Sequence, residues 1–97
     1  MTVAVDFDDT LTEESPFPVT GRIRVDEVNR LIRLQKQGCK IVLWTGRKGK
    51  YLQEAIQKCS ELGLAFDDIA PFKFVADVYI DSKALRSVKE LKNVSNT

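Results

Sequence analysis

The feature of this sequence that most constrains its fold is a short apolar run near the start that ends abruptly in acids. Residues 3–5 are valine, alanine and valine, and Asp6, Phe7, Asp8 and Asp9 follow them. An apolar run that is rich in β-branched residues and bounded in this way indicates a buried strand. Because strand side chains alternate between two faces, we expect Asp6 and Asp8 on the same side at the end of that strand.

The rest of the chain alternates between helical and strand patterns. Two prolines and a glycine within residues 13–21 predict a loop, with a short hairpin, that folds over the end of the first strand. Further strands are predicted over residues 40–44, 64–66 and 78–80, and helices over residues 25–37, 51–62 and 83–91. This order predicts an α/β fold: a Rossmann-like, doubly wound parallel sheet with helices on both faces.

Length and composition exclude several kinds of protein. The 97 residues predict a single domain, residues 1–97, in which the polar tail 93–97 frays. A net charge of +1 gives no support to nucleic-acid binding through charge alone. No apolar run reaches the roughly 20 residues of a membrane helix, and no leader precedes the first strand.

Cys39 and Cys59 are far apart, which predicts reduced core residues in a cytoplasmic protein. The chain has no histidine, which excludes histidine-based nucleophile systems.

Three polar residues follow apolar strands and should meet at one edge of the sheet: Asp6, Thr45 and Asp81. Carboxylate oxygens without thiolate or imidazole suit Mg²⁺. Thr45 offers a hydroxyl, whereas Lys73 and Arg47 offer positive charge, and this set of groups is what phosphoryl transfer requires. Simpler explanations compete for single members of the set. Thr45 alone fits a helix cap, Lys73 fits a surface lysine, and the basic stretch from Arg47 fits a solvated turn at the rim, after a tight turn at Gly46.

The stretch from Asp6 to Thr12, Asp-Phe-Asp-Asp-Thr-Leu-Thr, resembles the first signature of the haloacid dehalogenase-like (HAD) phosphatases. The resemblance implies that Asp6 is the nucleophile and Asp8 the acid–base residue. Thr45 resembles the second signature, which holds the phosphoryl group, and Lys73 resembles the third. Asp81 resembles the fourth, so the Asp6 carboxylate, the Asp8 carbonyl and Asp81 would hold Mg²⁺. Thr45, Gly46 and Arg47 are the expected substrate-binding residues.

Two departures from the family pattern bear on this assignment. Ser82 stands where many relatives carry a second acid. Asp77 does not replace that acid, because four residue steps along a strand place it about 13 Å from Asp81. The chain also has no room for the cap domain that many members carry, so the resemblance is to a minimal, capless type with an open site.

Three functions are consistent with these residues. The first is a Mg²⁺-dependent phosphohydrolase acting on a phosphorylated small molecule, with self-association to a homo-oligomer left open. The second is a catalytically degenerate, HAD-like module that binds phosphate without turnover. The third is a receiver-like signalling domain that accepts a phosphoryl group on Asp67 or Asp68. The sequence does not name the substrate.

Overall fold

The computed structural model describes residues 1–16, 19–70 and 76–80. Within these residues the chain forms four strands and two helices in alternation. The elements in order are β1 Thr2–Asp6, α1 Val25–Lys36, β2 Lys40–Trp44, α2 Gly49–Glu61, β3 Asp68–Ala70 and β4 Val78–Ile80.

The four strands form one parallel sheet in the order β3-β2-β1-β4. Strand β1 is central: Asp6 pairs with Trp44 of β2, and Val5 pairs with both Leu43 of β2 and Ile80 of β4. The predicted α/β class with a parallel sheet is confirmed, and the described residues include no inserted cap domain.

The two described helices cover one face of the sheet. Each connects parallel strands that advance in the same direction, from β1 to β2 to β3, so right-handed crossovers leave both helices on one side. There Val3 and Val5 of β1 share a core with Leu31 of α1 and Cys59 of α2. On the opposite face Ala4 is also fully buried. The helix predicted over residues 83–91 and the tail 93–97 lie outside the described residues.

Both helix predictions are confirmed to within two residues. Helix α1 packs Val28, Leu31 and Leu34 inward, but its first residue, Val25, is 45% exposed. It ends before Gly38, whose φ of +101° favours glycine. Helix α2 starts two residues earlier than predicted, and its apolar stripe packs on the core as expected. No helix among the described residues is long and apolar enough to cross a membrane.

The third strand is not where the sequence pattern put it. The prediction took residues 64–66 as the strand and Asp67 and Asp68 as its stop, whereas β3 begins at Asp68 and runs to Ala70. A carboxylate oxygen of Asp67 accepts hydrogen bonds from the Ile41 N–H at 2.7 Å and from the Gln35 side chain at 3.0 Å. Asp67 therefore joins the entry of β3 to β2 and α1, and the acid begins the strand rather than ending it.

A hairpin-like segment, residues 11–16 and 19–24, folds back at the end of β1 as expected, and we call it the flap. Its base is held by an antiparallel bridge between Thr12 and Ile23 and by a hydrogen bond from the Glu13 N–H to the Arg22 carbonyl at 2.8 Å. The two sides approach so closely that a Cβ at Gly21 would overlap the carbonyl oxygen of Glu13. Glycine is therefore required at this position.

Candidate active site

Asp6 and Thr45 lie at the same edge of the sheet. Asp6 is the last residue of β1, its register partner Trp44 is the last residue of β2, and Thr45 follows directly. The N–H of Phe7 donates to Asp6 Oδ1 at 2.9 Å, which fixes one oxygen of that half-buried carboxylate. This is the carboxyl edge of a parallel sheet, where α/β proteins bind ligands.

The chain turns sharply after β1 and leaves Asp8 toward solvent. The Leu11 N–H donates to the Phe7 carbonyl at 2.9 Å, and both of these side chains are buried in the core. Asp9 has a φ of +63°, a left-handed conformation that Asp tolerates, and its N–H donates to Thr12 Oγ1 at 3.1 Å. The Asp8 side chain keeps 35% of its surface exposed.

Thr45 is held from two sides. Its N–H donates to the carbonyl of Ala70 in β3 at 3.1 Å, and its Oγ1 accepts the N–H of Arg47 at 3.1 Å. The side chain is almost fully buried. Gly46 between them is exposed, its φ lies outside the left-handed region, and nothing lies within 4 Å of an added Cβ. The turn therefore does not depend on glycine at this position.

Arg47 is not the solvated rim residue that the basic stretch suggested. Its side chain is 1% exposed. The guanidinium donates two hydrogen bonds to Asp8, from Nε to Oδ2 at 2.8 Å and from Nη2 to Oδ1 at 2.6 Å. The expectation of a rim position is wrong, because a carboxylate 39 residues earlier in the chain draws the guanidinium inward. Its assignment to substrate binding stays a prediction.

The guanidinium of Arg47 is held on its remaining sides as well. It donates to the Tyr51 carbonyl at 3.1 Å and to Thr20 Oγ1 of the flap at 3.3 Å, and its carbon lies 4.9 Å from the centre of the Phe7 ring. Thr20 in turn donates to a carboxylate oxygen of Glu54. The hydrogen bonds to Asp8 raise the pKa of Arg47, whereas burial lowers it. The negative charges of Asp8 and Glu54 also raise this pKa.

Sequence reasoning missed Thr20 and Glu54, because no local pattern distinguishes them from other polar loop and helix residues. It also gave no separate role to Thr10, whose buried hydroxyl has no hydrogen-bond partner within the described part of the chain. A polar cleft of about 700 Å³ lies along α2 and is lined by Thr20, Lys50, Gln53, Glu54, Gln57, Lys58 and Glu61. Asp6, Asp8 and Thr45 do not line this cleft, so we do not identify it with the site.

Three other acids do not lie at this edge. Asp67 and Asp68 stand at the start of β3, level with Ile41 and with Val42 in the middle of β2, whereas Asp6 is level with Trp44 at the end of β2. Asp77 precedes β4, where its carboxylate accepts the N–H of Thr2 at 2.6 Å. Asp77 therefore lies in the bend that enters β4.

Lys73, Asp81 and Ser82 lie outside the described residues. Within residues 1–16, 19–70 and 76–80, no group of three His, Cys, Asp or Glu side chains could hold a metal ion. The predicted metal set includes Asp81, which lies outside these residues.

The parallel sheet with helices and a polar carboxyl edge defines an α/β protein of the kind that binds ligands at that edge. The chain belongs to the same family as a conserved protein coded by a locus from Bacteroides thetaiotaomicron. The solved structure of that protein matches with a TM-score of 0.86 and 30% sequence identity, over 99% of this chain and 89% of that chain. No family model matches the chain, and no curated protein matches it.

Proposed function

We propose that this protein is a Mg²⁺-dependent, HAD-like phosphohydrolase that cleaves a phosphomonoester through an aspartyl-phosphate on Asp6. The observation that carries the proposal is the register of β1 with β2, because it brings Asp6 and Thr45 to one edge of the sheet. Asp8 lies beside them, paired with Arg47 two residues after Thr45 and open to solvent on its other side.

In this proposal a carboxylate oxygen of Asp6 attacks phosphorus, and the bond from phosphorus to the leaving oxygen breaks. Asp8 in its acid form gives its proton to that oxygen. Asp8, now a carboxylate, takes a proton from water, and the resulting hydroxide attacks phosphorus and releases phosphate from Asp6. The Thr45 hydroxyl donates to a phosphoryl oxygen, and Lys73 offsets the negative charge on the phosphate.

The donor types fit Mg²⁺, which prefers hard oxygen ligands. The Asp6 carboxylate, the Asp8 carbonyl and the Asp81 carboxylate would hold it, and Asp81 directly follows Ile80, which pairs with Val5 in the sheet. When bound, the ion would neutralise charge on the phosphoryl group. Ser82 leaves this set one acid short of the usual number, which predicts weaker binding of the metal.

We further propose a phosphorylated small molecule as substrate and a cytoplasmic location. The site edge is uncapped in the described residues, and the exposed side of Asp8 gives a substrate access. Cys39 and Cys59 are free thiols, as a reducing compartment would keep them. A homo-oligomer remains a prediction.

A second candidate is phosphate binding without turnover. The observation that favours it is that both oxygens of Asp8 already accept hydrogen bonds from Arg47, which leaves this side chain fewer directions in which to meet a leaving group or a water. The receiver-like alternative has less support. Its acceptor would be Asp67 or Asp68, and both stand at the start of β3 instead of its end.

The test is a phosphatase screen over a panel of phosphomonoesters, with and without Mg²⁺, on the unmodified protein and two variants. Asp6→Asn should abolish turnover while the protein stays folded. Asp77→Asn is the matched control, because it also changes an acid next to a strand of the same sheet, and it should keep the activity. Full activity in Asp6→Asn would refute the phosphohydrolase, whereas binding of phosphate without turnover of any ester would establish the second candidate.

A further inference from the structure

We propose that Arg47 is the positioning residue of Asp8. It fixes the plane and direction of this carboxylate from the buried side and leaves the solvent side to the reacting groups. The inference rests on the proposed function, in which Asp8 handles the proton in both halves of the reaction.

The argument begins with the shape of the contact. Arg47 uses two different nitrogens on the two oxygens of Asp8, at 2.8 and 2.6 Å. Two such bonds fix the rotation of a carboxylate about its last side-chain bond, which a single point charge does not do. A carboxylate has about four lone-pair directions, so two remain for other partners.

The two side chains are buried to different extents, so one supports the contact from the interior and the other faces solvent. Arg47 is 1% exposed, whereas Asp8 is 35% exposed. The guanidinium therefore supports the carboxylate from inside, and the accessible surface of the pair belongs to Asp8. A substrate that reaches this edge of the sheet meets the carboxylate and not the guanidinium.

Arg47 can hold Asp8 still because Arg47 is itself fixed. The Tyr51 carbonyl at the start of α2, the Phe7 ring after β1 and Thr20 of the flap contact it from three separate segments. The N–H of the same residue donates to Thr45 Oγ1. One residue thus joins the two: the side chain of Arg47 holds Asp8, and its backbone N–H holds the hydroxyl of Thr45.

Positioning of Asp8 predicts a dependence on the leaving group. An alkoxide is a poor leaving group and needs the proton of Asp8 when the bond to phosphorus breaks, whereas p-nitrophenolate leaves without it. Hydrolysis of the aspartyl-phosphate needs Asp8 to take a proton from water for every substrate. A loosened Asp8 should therefore slow both steps for alkyl phosphates but only the second step for p-nitrophenyl phosphate.

The test compares Arg47→Lys with the unmodified protein on p-nitrophenyl phosphate and on an alkyl phosphate, both with Mg²⁺. Lysine keeps the charge and loses the two-pronged contact. Steady-state turnover of p-nitrophenyl phosphate should fall about 100-fold, with a burst of p-nitrophenol and phosphorylated enzyme trapped by acid quench. Turnover of the alkyl phosphate should fall further and show no burst. Added guanidinium ion should partly restore Arg47→Ala.

Arg30→Lys is the matched control, because Arg30 forms an ion pair with Glu27 within α1, with 30% of the Arg30 side chain exposed. It should leave both substrates unaffected. If Arg47→Lys does not fold, Thr20→Val removes one support of Arg47 and should give the same pattern, with a fall of about fivefold.

Two results would overturn the inference while the proposed function stands: unchanged kinetics in Arg47→Lys, or equal losses on both substrates without trapped phosphoenzyme. Equal losses would mean that Arg47 only supports the fold. If the unmodified protein turns over no phosphomonoester, or if Asp6→Asn remains active, the proposed function and this inference both fail.

Discussion

The pairing of Asp8 with Arg47 makes a strong prediction about stability. Asp8→Asn would remove the charged acceptor of two hydrogen bonds from a guanidinium that is almost fully buried, while Arg47→Met would leave the more exposed carboxylate to water. The two single variants and the double variant form a thermodynamic cycle, which measures the coupling between the two side chains.

The magnitude follows from the burial of each member. Removing one partner of a fully buried pair costs about 3–5 kcal/mol, and exposed pairs contribute about 0–1 kcal/mol. With Arg47 1% exposed and Asp8 35% exposed, we expect an intermediate coupling. That coupling should be about 2 kcal/mol, with a loss of about 2–3 kcal/mol in Asp8→Asn. For a domain of this size such a loss lowers the melting temperature by roughly 10–20 °C.

The assay is urea unfolding followed by circular dichroism, with the free energy of unfolding extrapolated to water for all four proteins. The pair between Arg30 and Glu27 provides the comparison, because it has a single longer contact of 3.4 Å and neither side chain is fully buried. Arg30→Met should lose no more than about 1 kcal/mol. A coupling between Asp8 and Arg47 as small as that of the Arg30–Glu27 pair would show that the two-bonded contact does not stabilise the protein as argued.

Three further predictions concern other parts of the chain. The hydrogen bond from the Ile41 N–H lowers the pKa of Asp67 most, and the bond from the Gln35 side chain lowers it further. The stabilising contribution of Asp67 is therefore present above about pH 4 and is lost as the pH falls below that value. Asp67→Asn should therefore flatten the decrease in unfolding free energy between about pH 5 and pH 3 in urea titrations, and Asp68→Asn should not. Gly21→Ala should lose about 1–3 kcal/mol by the same measurement, because its Cβ overlaps a backbone carbonyl, whereas Gly46→Ala should change stability by less than about 0.5 kcal/mol. Burial raises the pKa of Cys59 to about 12, so iodoacetamide at pH 8 should leave this thiol unmodified in the native protein and modify it in urea, as mass spectrometry of peptides would show.

The elements that the sequence predicted well are those with strong local patterns. The apolar run before Asp6, the run before Trp44 and the stripes of the two helices are each readable within a few residues. Once the order of strands and helices is known, short right-handed connections leave few arrangements of the sheet. The meeting of Asp6 and Thr45 at one edge follows from that order alone.

The missed features depend on partners far away in the chain. Asp67 looked like the end of a strand, but its carboxylate accepts the N–H of Ile41 and so begins one. Arg47 looked like a member of a solvated basic turn, because a charged side chain after a glycine is usually exposed. Its burial results from Asp8, and no pattern of period two or 3.6 predicts such a pairing.

The hydrogen bond from the Thr45 N–H to the Ala70 carbonyl has a consequence for the motions of the site. Ala70 ends β3, a three-residue strand at the margin of the sheet. None of the three side chains of β3 is buried. Strands with so few apolar contacts open locally at a lower free energy than the centre of a fold. When β3 opens, the Thr45 N–H loses its hydrogen bond to Ala70. Hydrogen exchange at the Thr45 amide would therefore report the opening of β3 as well as events at the site itself.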